Sequence, residues 1–456
     1  MVIDKNIKRS LAAECLEQIG QTVLVEGWVQ VVRAHGKIAF VDLRDRTGII
    51  QIGAFEGDLP SEFAKLGTQD VVKIEGLVKA RGEKYVNKNS LLGTIEIEAK
   101  GLEVIQKSHE MPFDMAGKDL NLELPTLLDH RGLTLRHPKI SAIFKVQETV
   151  IDSFRKSLQE KGFTEFQAPV IIPQGAEGGA EVFEVDYFGK KAYLSQSPQF
   201  YKQILVGVFE RVFAVNKTLR AEPSITTRHL AEVTTLDAEF GFIQSWSEVM
   251  DMAEYVIRFI FDEVEKKNGQ ELMAYGVSVP RIASDIPRIK LREAQKIILE
   301  RTGRDNTKEP DLTPEDEREI CKWALDEKGS ELVFVTHYPV DKRPFYTYED
   351  PEDPGYTLSV DLIGRGTEWM TGGQRINTLD KLIENAKKRN IDLEKSELYF
   401  QAFKYGMPPE GGFSFGSERV TMHILGLGNV REASLFPRDM ERVDTRYSSH
   451  HEKEDK

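Results

Sequence analysis

Residues 219–240 read LRAEPSITTRHLAEVTTLDAEF and hold three basic side chains, Arg220, Arg228 and His229, beside four carboxylates, with almost none of the charges at helical spacing. In extended chain alternate residues share a face, so Arg220 and Glu222 point one way, as do Thr235, Asp237 and Glu239. The two segments predict a hairpin. Its connection, PSITTRHLA, is too long and polar for a tight turn and carries Arg228 and His229. A planar guanidinium on a rigid strand, with Arg and His on a loop that can close, is chemistry suited to a polyphosphate. A surface hairpin laced with ion pairs would carry the same residues.

Three other segments hold candidate chemistry. In GGFSFGSERVTMHIL, residues 411–425, glycines at 411, 412 and 416 permit close approach of a ligand to the backbone, and Arg419 stands in the first turn of a predicted helix. A ligand-free strand-to-helix turn would read the same way. Neither GxGxxG nor GxxxxGK[ST] occurs, so any nucleotide is held by another architecture. GRGTEWMTGGQR, residues 364–375, offers Glu368 and Thr371 as oxygen ligands, then Arg375 after an expected Gly-Gly turn. Magnesium needs only one or two protein carboxylates when substrate phosphates supply the rest. LSQSPQFYKQ places Lys202 after a proline-broken turn, where a lone lysine is ordinarily solvated.

These residues need elements to hold them. Residues 21–105 are short Val- and Ile-rich segments broken by glycine or charged turns, with one helix, near LPSEFAKLG, between the third and fourth. That order predicts an OB-fold barrel for residues 1–105, a fold that commonly binds oligonucleotides, although a barrel with another ligand fits too. Residues 106–136 lack periodicity and read as a linker or hinge. From 137 to 449 long helices alternate with β segments, predicting an α+β domain built on an antiparallel sheet flanked by helices. Its first helix sets Ile143, Val146, Val150, Phe154 and Leu158 at three- and four-residue steps and stops at Gly162. The strand after it contains Pro169, which favours a sheet edge, where two subunits could meet. Thr313, Pro314 and Asp316 make a capping-box helix start. Residues 450–456 read as a disordered tail.

With 456 residues, 40% of them hydrophobic, the chain can bury a large core. Its N-terminus shows no signal-peptide core, and no window approaches the ~20 apolar residues that span a bilayer, so a cytoplasmic protein without a membrane partner is expected. Cys15 and Cys321 form no disulfide or zinc pattern. A net charge of −13 argues against nonspecific coating of nucleic acid. Residues 1–110, however, hold 15 Lys and Arg against 16 Asp and Glu, so a nucleic-acid face on the barrel is not excluded.

Taken together, the helix with Gly162 and the Pro169 strand, then LRAEPSITTRHLAEV, then GGFSFGSERV resemble the three motifs of class II aminoacyl-tRNA synthetases. EGGAEVF, QSPQFYKQ, TTRHLAEVTTLDAEF, RGTEWMTGGQR and YGMPPEGGFSFGSER are similar to the archaeal-type aspartyl enzymes, over essentially the whole chain. The resemblance implies an ATP-dependent ligase and a homodimer that charges tRNA(Asp), and tRNA(Asn) as well in some relatives. It assigns Arg220 to the α-phosphate and substrate carboxylate, Glu222 to the adenine or ribose side, and Arg228 and His229, with Leu230 beside them, to the outer phosphates. Glu368 and Thr371 would hold Mg2+ with ATP, and Gly416, Ser417, Glu418 and Arg419 the adenine and terminal phosphate. Glu177, Gln199, Phe200 and Tyr201 would line the L-aspartate site, with Lys202 and Arg375 on its side-chain carboxylate. Phe40 and Gln51 would meet anticodon bases, with Gln30 nearby leaning the chain toward tRNA(Asp) alone. Thr371 stands where serine is common, Trp369 and Met370 replace smaller residues, and Val233 stands where several relatives have an aromatic. An asparaginyl enzyme on the same scaffold and a noncatalytic paralogue are the alternatives.

Overall fold

The computed structural model describes residues 3, 4, 6–88, 90–175, 182–222 and 226–444, and it divides the chain into two compact units, residues 1–122 and 123–456. In the first unit β1 (Thr22–His35), β2 (Ile38–Arg44), β3 (Ile49–Ala54), α1 (Leu59–Phe63), β4 (Val71–Ala80) and β5 (Ile95–Gln106) close a barrel in the order β1-β2-β3-β5-β4. The alternation read from the sequence is the cause. Ala39, Val41 and Leu43 point inward with Ile50, Ile52, Val72 and Ile74, while Phe40 and Asp42 between them face outward. The expected linker is split. Its first part belongs with the barrel unit, whereas α2 (Leu124–Asp129) and α3 (Arg131–Thr134) open the second, because buried Arg131 donates to the carbonyls of Glu432, Ser434 and Leu435.

The second unit continues with α4 (Pro138–Glu160), β6 (Thr164–Glu165), β7 (Ile171–Ile172), β8 (Glu184–Tyr187), β9 (Lys190–Leu194), α5 (Gln199–Phe209), β10 (Arg211–Leu219) and β11 (Glu232–Gly241). There follow α6 (Ser247–Lys267), α7 (Gly269–Tyr275), β12 (Arg288–Lys290), α8 (Leu291–Thr302), α9 (Pro314–Lys328), β13 (Leu332–Thr336), β14 (Ser359–Gly364), β15 (Thr367–Arg375), α10 (Leu379–Lys388), α11 (Glu397–Lys404), β16 (Glu410–Gly416) and α12 (Ser417–Leu425). Among the described residues the main sheet has eight strands in the order β12-β13-β14-β15-β16-β11-β10-β6, antiparallel except for its first and last pairs.

Period-two alternation makes the sheet two-sided. Leu236, Ala238 and Phe240 of β11, with Phe413 and Phe415 of β16, pack against the fully buried Val146, Val150 and Phe154 of α4 and against α6. The other face carries Thr235, Asp237 and Glu239. The expected strand through Pro169 is broken: β6 is a two-residue edge strand, and the chain passes Pro169 before β7 joins a separate small sheet. Proline cannot donate to a ladder, so pairing lapses there. Thr313 caps α9 as expected, accepting from Asp316 N–H while the Asp316 carboxylate accepts from Thr313 N–H.

Gly372 and Gly373 were expected in a turn but lie within β15, paired to Phe413 and Gly412 of β16. The reason is close approach of the neighbouring strands: a Cβ on Gly373 would fall against the Leu358 carbonyl and Ser359, and one on Gly372 against the Gly412 carbonyl. A Cβ on Gly412 would fall against the Ala238 carbonyl and the Glu239 carboxylate. Gly412→Ala is therefore expected to lower unfolding stability by ~2 kcal/mol or more, measured by urea denaturation. An unchanged midpoint would show that the window between the strands is not needed.

Candidate active site

On the polar face of the sheet lies a cavity of about 890 Å3. Nine Lys or Arg side chains line it against four Asp or Glu. A chain of net charge −13 thus concentrates cations in one place, as a polyanion requires.

The floor of the cavity is an alternating array of buried charge. Lys202, 1% exposed on α5, is not solvated: its Nζ lies 3.3 Å from Asp237 Oδ1 and 3.1 Å from Glu239 Oε2. Arg375 Nε donates to Glu239 Oε1 at 2.7 Å, and its Nη2 donates to the Gly412 carbonyl at 3.0 Å. Burial alone would raise the Glu239 carboxyl, but Arg375 and Lys202 together hold it below its ordinary value. Gln199, 3% exposed, donates to Gln203, which donates to Glu410 at 2.9 Å. The two cations are thus not bare donors, as the sequence suggested, because buried cations demand counter-ions. Asp237 and Glu239 supply them.

The strand β10 ends at Leu219, so Arg220 and Glu222 stand just past it and not on it. One more ladder bond, Arg220 N–H to the Ala231 carbonyl at 2.8 Å, fixes Arg220, and its guanidinium lies 3.8 Å from Glu222. Both line the cavity, as do Arg228, His229 and Leu230. Arg228 is anchored by Glu317 of α9 at 2.6 Å and by the Gly366 carbonyl at 3.1 Å. Arg419 Nη1 donates to the Glu368 carbonyl at 2.9 Å. Glu418 accepts from Thr234 N–H at 3.0 Å, and Ser417, fully buried, donates to Glu418. Ser417 therefore supports this turn and does not line the cavity.

Glu368 and Thr371, three residues apart, should face opposite sides of a regular strand. They do not, because β15 carries a bulge at Trp369: Glu368 pairs with Ile363 and Thr371 with Asp361, two residues that share a face of β14. Both accordingly line the cavity, and Asp361, unforeseen, stands beside them as the cross-strand partner of Thr371. Arg343 bridges this group, donating to Asp361 Oδ2 at 2.6 Å and to Thr371 Oγ1 at 3.2 Å. Burial and then the Asp361 charge push the Glu368 carboxyl above its ordinary value. Asp361 Oδ1 is buried without a hydrogen-bond partner. Two crowded carboxylates and a hydroxyl, with one orphaned oxygen, fit a hard divalent cation. Among the described residues no group of three His, Cys, Asp or Glu side chains could hold a metal.

Several expected residues lie elsewhere. Phe200 stacks on Tyr399 at 4.2 Å, and with Tyr201 it lines a separate small apolar cavity, since α5 turns this side away from Lys202. Glu177 lies outside the described residues, as does the tail 450–456. On the barrel, Phe40 and Gln51 share the outer face: Phe40 pairs with Gly53, and Gln51 with Asp42. Arg33, unforeseen, pairs with Phe40 and grips Asp42 with two bonds of 2.7 Å. Gln30 does not join them. It is the extra residue of a bulge in β1, 5% exposed, and spends its amide donor on the Met115 carbonyl at 2.8 Å.

Residues 123–440 match the model of the tRNA synthetases class II (D, K and N), and residues 23–105 the OB-fold nucleic acid binding domain. The chain belongs to this synthetase family. It is 40% identical to an aspartate–tRNA(Asp/Asn) ligase of Aeropyrum pernix over 93% of this chain and 96% of that one. It is 38% identical to an aspartate–tRNA(Asp) ligase of Pyrococcus abyssi over 96% and 99%. The synthetase is similar in fold to an aspartyl-tRNA synthetase, described as putative, of Leishmania major (TM-score 0.86, 31% identity, 97% of each chain). The asparaginyl-tRNA synthetase of Pyrococcus horikoshii complexed with asparaginyl-adenylate is almost as similar (TM-score 0.84, 32% identity, 94% of this chain and 97% of that one). Fold alone therefore does not separate the two amino acids.

Behind Trp369 the synthetase buries His423, whose ring stacks on the indole at 5.3 Å while Nε2 lies 3.1 Å from Thr367 Oγ1. Burial, then Arg419, Arg228 and Arg365, hold its pKa down to about 3. The unfolded chain binds this proton near pH 6.5 and the folded one does not, so stability falls as pH drops from about 6.5 toward about 3. The expected loss at pH 5 is about 2 kcal/mol. His423→Leu should flatten that limb of the pH–stability curve, and an equal slope in both proteins would refute the assignment.

Proposed function

We propose that the chain is an aspartate–tRNA ligase, which joins L-aspartate and ATP into aspartyl-adenylate and then passes the aspartyl group to the terminal ribose of tRNA(Asp). tRNA(Asn) is the second acceptor that the naming of some relatives allows. The observation that carries the amino-acid reading is the buried pair Lys202 and Arg375 on the cavity floor, where size cannot tell a carboxylate from an amide but charge can. An asparagine amide would present its own donors to two cations. Sites that leave buried polar groups unmatched reject the wrong substrate by roughly 10⁴-fold, against ~10 to 200-fold for a missing methylene.

In the first step the substrate's α-carboxylate attacks the α-phosphorus and pyrophosphate leaves. The carboxylate is already a nucleophile, so no general base is needed and the work is orientation and charge neutralisation. Arg220 would hold the α-phosphate and the reacting carboxylate, with Glu222 toward the nucleoside. Arg228 and His229 would meet the outer phosphates, and Arg419 with Gly416 the adenine and terminal phosphate. Gln199, with Glu177, would meet the substrate's ammonium side. Magnesium carried with ATP would be held by Asp361, Glu368 and Thr371 and would neutralise phosphate charge. Phe40, Gln51 and Arg33 would meet anticodon bases by stacking and hydrogen bonding. Gln30 supports no base reading, so the lean toward tRNA(Asp) alone loses its footing.

We propose further that the protein is a homodimer. Support comes from the edge strand β6 and from Val170, Ile171, Val208 and Phe209, all more than 40% exposed near that edge. Light scattering should give twice 51.8 kDa, and a particle of single mass would exclude the dimer.

Arg220→Ala should cut aspartate-dependent pyrophosphate exchange by at least ~10²-fold in a folded protein. Lys202→Met should raise the aspartate KM about tenfold or more and shrink the preference over asparagine, with KM for ATP nearly constant and the thermal midpoint read in parallel. Exchange with asparagine in place of aspartate would favour an asparaginyl enzyme on this scaffold. Silence with every amino acid would favour a noncatalytic paralogue, against which stands the presence of Arg220, Glu368 and Arg419 together.

A further inference from the structure

Behind Arg375, one layer below the cavity, stands a third carboxyl that the reaction outlined above does not use. Glu410 is fully buried on β16, directly opposite Arg375 of β15 and Gly241 of β11. Its Oε1 accepts from Gln203 Nε2 at 2.9 Å, and among the described residues Oε2 has no hydrogen-bond partner. Gln203 Oε1 in turn accepts from Tyr399 OH and from Gln199 Nε2, both at 3.0 Å, so Glu410 terminates a chain of bonds that begins at the cavity wall.

Charge counting decides the state of this carboxyl. Two buried cations, Lys202 and Arg375, already face two buried carboxylates, Asp237 and Glu239. A third buried anion would leave the array with surplus negative charge at the spot where a substrate carboxylate must arrive, and unpaired buried charge is avoided by neutralisation. The groups facing Glu410 are Glu239 on β11, Gln203 and Lys202 on α5, Arg375 on β15 and Tyr399 on α11.

We propose that Glu410 is a positioning residue that works as a neutral acid, fixing Gln203 and backing Arg375 without drawing their cationic neighbours away from the substrate's side-chain carboxylate. This rests on the aspartate reading above. Burial, then the charge of Glu239, pushes the Glu410 carboxyl well above its ordinary value, in the direction the geometry requires. The role is held by contact alone: Glu410 does not line the cavity, and it acts on the substrate through Gln203, Gln199 and Arg375.

The test compares full-length wild type with Glu410→Gln and Glu410→Ala in aspartate-dependent pyrophosphate exchange, reading kcat and the KM of aspartate and of ATP separately. Glu410→Ala should raise the aspartate KM about tenfold while kcat and KM for ATP move little, because Gln203 loses its acceptor. Glu410→Gln, uncharged and of the same shape, should recover most of that loss. An infrared difference spectrum of wild type minus Glu410→Gln should show the C=O band of a protonated carboxyl at neutral pH. A glutamine variant as poor as alanine, neither variant altering the aspartate KM, or a carboxylate signature in place of the protonated band would each overturn the proposal. The infrared signature needs no substrate, so it still reports on Glu410 if the wild type activates a different amino acid.

Discussion

Four charged side chains buried on one face of a β-sheet constrain everything around them. Lys202, Asp237, Glu239 and Arg375 are nearly withdrawn from solvent, and each is tolerable only because the next neutralises it. That requirement reaches into the backbone. A side chain on Gly412 would fall against the Glu239 carboxylate that Arg375 grips, so Gly412 is fixed by electrostatics as much as by sterics. It reaches also into the neighbouring apolar cluster, where Tyr346 lies against the Arg375 guanidinium and Tyr399 is close to Glu239 and Arg375. On the proposed reading, a low dielectric would give Lys202 and Arg375 their discrimination, since the same two cations in water would separate aspartate from asparagine weakly.

The phosphate end of the cavity obeys a looser rule. Arg220, Arg228 and His229 sit on the connection between β10 and β11, Arg220 exposed and the other two half-buried, and take their order from a few anchors such as Glu317, the Gly366 carbonyl and the Ala231 carbonyl. ATP is large, multiply charged and needs neutralisation along its length, so on the proposed reading these less buried cations would serve it. Aspartate is small and must be told from a near-isostere, so rigid cations in a sheet serve it. The proposed division of labour would follow from where each group lies on the fold: strand interior for specificity, strand end and loop for phosphate.

Much of this was legible in the amino-acid sequence where a single period governs. The barrel strands, α4 and the β10–β11 hairpin follow from alternation or three-four spacing, because burial of one face decides them. The segments with glycines and charge also converge on one cavity. What escaped reading depended on registration between distant strands. Asp361 carries no local signal and becomes a neighbour of Glu368 only through the Trp369 bulge. The Gly-Gly pair looked like a turn because a need for space and a need for a reversal call for the same residue. Lys202 looked solvated because its partners lie 35 and 37 residues further on. Gln30 looked like a reader of bases because nothing local reveals a strand bulge that turns its amide to Met115.

The near-equal likeness to aspartyl and asparaginyl structures shows what the fold does and does not decide. A sheet with one apolar and one charged face, closed by helices, is common to both, and the TM-scores of 0.86 and 0.84 reflect that shared frame. Selectivity must then reside in the charge balance of a few buried groups, which alters no backbone. Here that balance is two cations against two carboxylates, with Glu410 as the group whose protonation tips it. With Glu410 neutral the array has no net charge before substrate arrives, and the positive edges of Lys202 and Arg375 can be shared with a third carboxylate. With Glu410 ionised the site would carry an excess anion, repel aspartate and favour a neutral amide. One buried proton therefore separates a site for an acid from a site for its amide, on a scaffold that is otherwise the same.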